Sequence, residues 1–168
     1  MFKAWMIRIL EGSVTIDNVD EFLRRLKEKG SKSNSVIQVL NADKLAGEEH
    51  LVFAVEKANE SFVKGRNIAN DLAKEIMLYA AGTRQINRAV KLGIQEGRNN
   101  IVLVAVGDEP DLSGFDDVEP SPVIKYTESR KKELMDIFNI TDEEVGVVGA
   151  DRIPELVRER VALVDVMK

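Results

Sequence analysis

Residues 47–93 decide the fold of this chain, and they read GEEHLVFAVEKANESFVKGRNIANDLAKEIMLYAAGTRQINRAVKLG. Three helical patterns follow one another in this segment. In the first, apolar residues recur at steps of three and four, the spacing of one buried helix face: Leu51, Ala54, Val55, Ala58 and Phe62. The second pattern has the same spacing: Ile68, Leu72, Ile76 and Tyr79. Gly82 then predicts a left-handed helix stop, and Thr83 predicts the cap of a third, shorter helix that ends at Gly93.

The corner between the second and third helices, Gly82 to Ile86, predicts a cation at a helix start. The positive end of the helix dipole disfavours Arg84 there by ~0.3–1 kcal/mol, whereas an anion would bind the free N–H groups. Arg88 follows one turn later on the same side. Two interpretations stay open. Either the two arginines form a phosphate or carboxylate site, or Arg84 pairs with a nearby carboxylate such as Glu75.

Two runs in this segment resemble a known family: HLVFAVEKA, residues 50–58, and EIMLYAAGTRQINRAVKLGI, residues 75–94. They are similar to the TPRKB-like, kinase-binding regulatory subunits of the KEOPS complex, of archaeal type. The resemblance covers most of the chain and is most specific at residues 82–86 and at Gly93 and Ile94. It implies a non-catalytic protein that binds the amino-terminal lobe of the complex's atypical kinase-ATPase, and other KEOPS subunits indirectly. It also implies binding of tRNA, including its single-stranded 3′ end, in the pathway that forms threonylcarbamoyladenosine (t6A).

Length and composition favour one soluble domain over residues 1–168, with 44% apolar and 32% charged residues. The net charge of −5 argues against sequence-blind binding of nucleic acid by the whole surface, but it leaves room for a local basic patch. The chain has no cysteine, which excludes disulfides, thiolate catalysis and cysteine-bound metals. No signal peptide or membrane-spanning run is recognisable, so we expect a cytoplasmic protein without a membrane partner.

The rest of the chain predicts an α/β (α+β mixed) fold. Strands are expected at four places: Lys3–Leu10, which Gly12 and Ser13 end, Val36–Leu40, Ile101–Val106 and a short one at Val123–Tyr126. Helices are expected at four further places: Val19–Glu28, the residues after Thr127, Thr141–Val148, and from Pro154 to about Val161. Val161–Met167 fits either a helix or a strand. We expect a small, mostly antiparallel or mixed sheet of three to five strands, with helices packed mainly on one face.

Residues 107–122 contain six acidic residues and no basic one, and their three prolines predict a segment without regular structure. A solvated loop, a docking surface for a basic partner and a metal site are the three interpretations. The acidic residues lack the spacing of a calcium-binding loop, so we expect no metal here.

Sequence motifs for catalysis are absent. The chain has neither Gly-x-Gly-x-x-Gly nor the Gly-x-x-x-x-Gly-Lys-Ser/Thr phosphate loop, and His50, the only histidine, is expected at the surface or as a helix cap. We therefore expect no enzyme activity and no cofactor. The alternative is a small enzyme that binds an anion or nucleotide through Arg84 and Arg88, with His50 and Glu75 nearby.

Two sets of residues are candidate binding sites. Basic residues of the helical segment are predicted to contact tRNA: Arg84, Arg88, Lys57, Lys64 and Arg66. Apolar residues of two later helices are predicted to contact the kinase: Leu134, Ile137, Phe138, Val145 and Val148. Those helices are too short to turn every apolar residue inward, Val147 included, so we expect an exposed apolar patch of the kind that binds partners.

Overall fold

The computed structural model describes residues 5–167, and in it the chain divides into two compact units. The first contains the described residues up to Asp43 together with Gly93–Val123, and the second contains Lys44–Leu92 together with the described residues from Ile124 onward. The predicted mixed α/β class and the small antiparallel sheet are confirmed. That residues 1–168 form a single domain stays a prediction.

The first unit is built on a four-stranded sheet in the order β2-β3-β1-β4, and every pair of neighbours is antiparallel. Its strands are β1 (Met6–Ile16), β2 (Ser35–Asn41), β3 (Gly97–Gly107) and β4 (Glu119–Pro120). In the register of the sheet, Leu10 of β1 and Val39 of β2 both lie beside Leu103 of β3. The run 101–106, rich in β-branched residues, is buried throughout, which agrees with the interior position of β3 between β2 and β1.

The first strand continues beyond its predicted end at Leu10, because Gly12 and Ser13 lie inside it, and its predicted start at Lys3 lies outside the described residues. Both residues pair with β3 and with β4. A Cβ atom on Gly12 would lie 2.2 Å from the carbonyl oxygen of Glu119, so only glycine lets β4 approach here. The predicted strand at Val123–Tyr126 is wrong: the Val123 N–H donates to the Ser121 carbonyl at 2.9 Å in a tight turn, and no ladder forms.

The helix α1 (Val19–Lys32) packs on one face of this sheet. Its start is confirmed as predicted, because the Asn18 side chain accepts the N–H of Glu21 at 3.0 Å. The helix continues four residues beyond the predicted end at Glu28. Phe22 and Leu26 are buried in a core formed with the strand residues that point to the same face.

The acidic segment 107–122 is anchored rather than simply solvated. Phe115 and Val118 are buried in the core under α1, although most of the acidic residues around them are exposed. Arg25 donates to both carboxylate oxygens of Asp117 at 2.9 and 3.1 Å, and its guanidinium lies over the rings of Phe22 and Phe115. The hydrogen bonds from this guanidinium stabilise the ionised carboxylate of Asp117, so the pKa of Asp117 lies below its usual range. The segment also contains β4, which the sequence did not predict.

The second unit contains six helices among the described residues: α2 (Glu48–Val63), α3 (Leu72–Ala80), α4 (Ile86–Ala89), α5 (Lys131–Phe138), α6 (Asp142–Val148) and α7 (Ile153–Leu163). A 3-10 turn, Val164–Val166, follows α7, so the undecided stretch 161–167 contains no strand. The predicted inward face of α2 is confirmed by four fully buried residues: Leu51, Ala54, Val55 and Ala58. No helix among residues 5–167 combines the length and the apolar character needed to cross a membrane.

The helix α3 starts later than its apolar spacing predicts. The Asp71 side chain accepts the N–H of Lys74 at 2.8 Å and caps the helix, so Ile68 and Ala69 lie in the preceding loop. At α6 the predicted cap is confirmed: Thr141 and Glu144 exchange side-chain and backbone hydrogen bonds in a capping box.

Candidate functional site: a basic groove at the Gly82 corner

The Gly82 corner ends α3 as the sequence predicts. The N–H of Thr83 donates to the Leu78 carbonyl at 3.1 Å, and the N–H of Gly82 donates to the Tyr79 carbonyl at 3.0 Å. These two bonds form a Schellman motif, which satisfies the last carbonyls of the helix. Gly82 has a φ of +63°, the left-handed conformation that this motif requires.

The start of the next helix differs from the prediction. Thr83 does not cap it, because its hydroxyl accepts the N–H of Gln85 at 3.1 Å, and α4 begins only at Ile86. Arg84 therefore precedes the helix instead of occupying its first or second position. Since α4 has only four residues, the helix-dipole argument for an anion site does not apply. The alternative of an anion- or nucleotide-binding enzyme built on this helix start loses its structural basis.

The predicted pairing of Arg84 with Glu75 is also wrong. Glu75 is fully buried, and its carboxylate accepts the Ser61 hydroxyl at 2.6 Å and the N–H groups of Ile68 and Ala69 at 3.1 and 2.8 Å. The carboxylate thus binds the loop before α3. The N–H groups of this loop have no helical carbonyl to donate to and need another acceptor. From the sequence, Glu75 was a possible partner of Arg84 or a member of an anion site, and neither interpretation predicted that it binds this loop.

Arg84 and Arg88, the first two predicted tRNA contacts, line one groove of about 680 Å³. Four cationic side chains and one carboxylate line it: Arg84, Arg88, Lys91, Arg160 and Asp136. The excess of positive charge is what an anionic ligand needs. Lys91, which the prediction did not include, lies three residues after Arg88 on the continuing turn of the same segment.

The four cations of the groove differ in how far they are engaged. Arg160 donates to both oxygens of Glu144 at 2.6 and 2.8 Å and to the Phe138 carbonyl at 3.0 Å, so it supports the end of α5. Arg84 donates to the Val164 carbonyl over 3.5 Å, a long contact. Among residues 5–167, the side chains of Arg88 and Lys91 have no hydrogen-bond or ion-pair partner. Three cations are therefore available, fully or in part, to a ligand.

Apolar side chains complete the groove. Ile137, Leu163 and Met167 line it together with the basic residues. Guanidinium and ammonium groups bind phosphate or carboxylate oxygens, and exposed apolar side chains accommodate the flat or apolar part of a ligand. The groove thus suits a ligand that carries both negative charge and an apolar portion.

The other three predicted tRNA contacts do not line the groove. Lys57 forms an ion pair with Asp165. Lys64 donates to Glu60 at 2.8 Å, and Arg66 lies 3.8 Å from the same carboxylate. The structure therefore brings together Arg84 and Arg88 but separates the other three into different ion pairs.

The predicted kinase contacts fall into two groups. Leu134, Phe138 and Val145 are buried in the core of the second unit, because they lie on the inner faces of α5 and α6. Ile137 is half-buried, and Val148 is 43% exposed. The largest exposure of an apolar side chain in this region is that of Val147, at 86%. Only the second group is accessible to a partner.

His50 is fully buried, so of its two predicted positions, the surface or a helix cap, the surface is wrong. Its Nδ1 accepts the Ala46 N–H at 2.9 Å, so its Nε2 carries the hydrogen and donates to the Ala80 carbonyl at 2.8 Å. Burial lowers the pKa of His50 to about 4. The neutral ring links the start of α2 to the end of α3 and is not exposed to the groove. Among the described residues, no cluster of His, Asp and Glu is placed to hold a metal.

Comparisons with known proteins agree with the resemblance in the sequence. The family model described as "Kinase binding protein CGI-121" matches residues 14–165. The chain is 28% identical over 136 residues to the regulatory protein Cgi121 of Methanocaldococcus jannaschii, covering 78% of this chain and 84% of that protein. It is 39% identical over 61 residues to the KEOPS complex subunit Cgi121 of Pyrococcus abyssi, covering 36% of each chain.

Proposed function

We propose that this chain, which belongs to the CGI-121 family of kinase-binding proteins, is the non-catalytic regulatory subunit of a KEOPS complex. The observation that carries the proposal is the family match, which spans 14–165 and so includes both compact units. The names of two archaeal relatives, a regulatory protein and a KEOPS complex subunit, support it. In this function the chain binds the kinase-ATPase of the complex directly, contacts the other subunits through it, and acts on tRNA in the cytoplasm.

The exposed apolar end of α6 is the surface that we assign to the kinase. Val147 and Val148 are the most exposed of the predicted apolar residues, and their exposure is what a partner surface would cover. The half-buried Ile137 lines the basic groove instead. Leu134, Phe138 and Val145 support this surface from the core and would not contact the partner themselves. Coelution of the purified chain with the purified kinase is the first test of the proposal.

The basic groove is the surface that we assign to tRNA, in support of t6A formation. Arg84, Arg88 and Lys91 supply donors for phosphates, and the apolar side chains beside them suit unstacked bases. The single-stranded 3′ end of tRNA offers unstacked bases to such side chains, whereas the bases of a double helix are stacked and paired. The net charge of −5 agrees with binding through such a local surface rather than through the whole protein.

Replacing Arg84 and Arg88 together by Gln tests this assignment. Each phosphate contact on a single strand contributes about −0.7 to the slope of log K against log salt, so the double variant should bind tRNA more weakly and with a slope flatter by roughly one to two. Filter-binding titrations at several salt concentrations measure both quantities.

The matched control is Arg24→Gln with Arg98→Gln, two exposed arginines of the first unit whose loss removes the same charge. We expect the control to retain the wild-type slope, and melting curves should show that both double variants are folded. Equal slopes and affinities for wild type and Arg84→Gln/Arg88→Gln would remove the groove from the account.

A further inference from the structure

Three side chains from three elements meet at the C-terminal turn of the second unit. The Asp165 carboxylate forms an ion pair with Lys57 of α2 and accepts the Tyr79 hydroxyl of α3 at 2.5 Å. The side chains of Lys57 and Asp165 are only 20% and 17% exposed, so solvent screens their interaction little. These donors outweigh the cost of burying the charge, and the pKa of Asp165 lies below its usual range.

The turn that carries Asp165 also forms part of the groove. Leu163 and Met167, on either side of it in the chain, line the groove. The Val164 carbonyl accepts the long hydrogen bond from Arg84, while the Val164 side chain is fully buried. Val164 and Asp165 therefore anchor the turn to the protein interior. The other residues of the turn face the surface.

We propose that Asp165 is a positioning residue for the groove. Held by Lys57 and Tyr79, it fixes the turn 163–167 so that Leu163 and Met167 line the groove and the Val164 carbonyl restrains Arg84. The inference rests on the proposed tRNA-binding function and identifies what keeps that site in shape. It gives Lys57 a new role: Lys57 acts on the ligand through Asp165 and does not contact it.

A positioning role and a purely electrostatic role of Asp165 predict opposite changes in RNA affinity when Asp165 is replaced by Asn. Asp165→Asn removes a negative charge beside a basic groove, which by charge alone would tighten the binding of RNA. If Asp165 positions the turn, the same change leaves the Lys57 ammonium without its counter-ion and loosens the turn, so binding weakens. We expect a loss of about threefold to tenfold in affinity with an unchanged salt slope, because no phosphate contact is removed.

Asp136→Asn is the matched control, because Asp136 lines the same groove and loses the same charge. This variant should bind RNA somewhat more tightly than the wild type. The probe is a single-stranded RNA oligonucleotide with the sequence of a tRNA 3′ end, titrated against each full-length variant. The charge-reversed pair Lys57→Asp with Asp165→Lys should recover part of the affinity that Asp165→Asn loses.

Methyl NMR of the free protein gives a second measurement that needs no RNA. The Met167 methyl and the Leu163 methyls should shift and sharpen in Asp165→Asn and stay unchanged in Asp136→Asn. Unchanged methyl signals in Asp165→Asn would overturn the inference, and so would mobile methyls accompanied by equal or tighter binding. A wild-type chain that binds no RNA would overturn the proposed function of the groove and its positioning together, even if the methyls respond.

Discussion

At the scale of single residues, the buried side chains of His50 and Glu75 stabilise the second unit, and the sequence predicted the burial of neither. His50 and Glu75 each satisfy backbone groups that leave the regular helices, at the start of α2 and before α3. A spacing pattern reports which face of a helix is apolar, but it does not report which turn amides lack an acceptor. The sequence therefore could not predict the burial of either residue.

The buried neutral His50 makes stability depend on pH. Its pKa is about 4 in the folded protein and about 6.5 in the unfolded chain, so between these values the unfolded chain binds the extra proton. The contribution of neutral His50 to the free energy of unfolding is complete above pH 6.5 and is lost as the pH falls towards 4. We expect the free energy of unfolding to decrease by about 3 kcal/mol over this range through His50 alone.

Urea unfolding between pH 4 and 7 measures this dependence, with His50→Gln as the comparison. The variant keeps a polar side chain but cannot take up a proton, so the difference in unfolding free energy between wild type and variant should grow as the pH rises. A difference that stays constant from pH 4 to 7 would show that His50 is not buried in its neutral form.

At the scale of elements, the corner at Gly82 joins α3 to the groove. Both its left-handed φ and its crowding favour glycine: a Cβ atom there would lie 3.3 Å from Cδ1 of Phe138. Replacement by Val adds a β-branched side chain in a conformation that costs ~1–3 kcal/mol, whereas Asn tolerates it better. Gly82→Val should melt several degrees below wild type and Gly82→Asn should fall between them.

Gly65 provides the control for this prediction, because it also has a positive φ, of +67°, but no atom lies within 4 Å of its Cβ position. Gly65→Asn should therefore lower the melting temperature less than Gly82→Asn. Calorimetric scans of the variants make the comparison. Equal melting temperatures for Gly82→Val and Gly82→Asn would mean that backbone strain does not govern the corner.

The elements themselves were predictable where one signal dominated. The spacing of three and four residues in α2, the helix start expected at Val19 and the β-branched run of β3 each gave the right element. Errors arose where a tertiary contact outweighed the local signal: Gly12 indicates a break in isolation, but it permits the approach of β4. Similarly, the charges of segment 107–122 concealed Phe115 and Val118, which anchor it in the core.

The candidate site was predictable in part for the same reason. Arg84 and Arg88 were found because they lie close together in sequence, and the corner that Gly82 forms keeps them in one groove. The ion pair of Lys57 could not be predicted, because its partner Asp165 is more than one hundred residues away in the chain. Sequence spacing carries no information on such a pair, so the sequence could not separate Lys57 from the residues that line the groove.

At the scale of the whole molecule, the second unit carries the two surfaces that we propose for partner binding. We assign a basic groove to tRNA and the exposed end of α6 to a kinase, while the buried His50 and Glu75 bind backbone groups of the fold. The chain belongs to the CGI-121 family of kinase-binding proteins, which supports the proposed regulatory role. Binding of the kinase is the central claim, since regulation of the complex depends on it.

Gel filtration and calorimetric titration of the chain with the KEOPS kinase test that claim most directly. Wild type should coelute with the kinase at micromolar concentrations, and Val147→Asp with Val148→Asp should weaken the affinity at least tenfold by placing charge in the contact. Val63→Asp, at an exposed valine of α2 with 65% accessibility, should bind as wild type does. Two separate peaks for wild type and kinase would contradict the account.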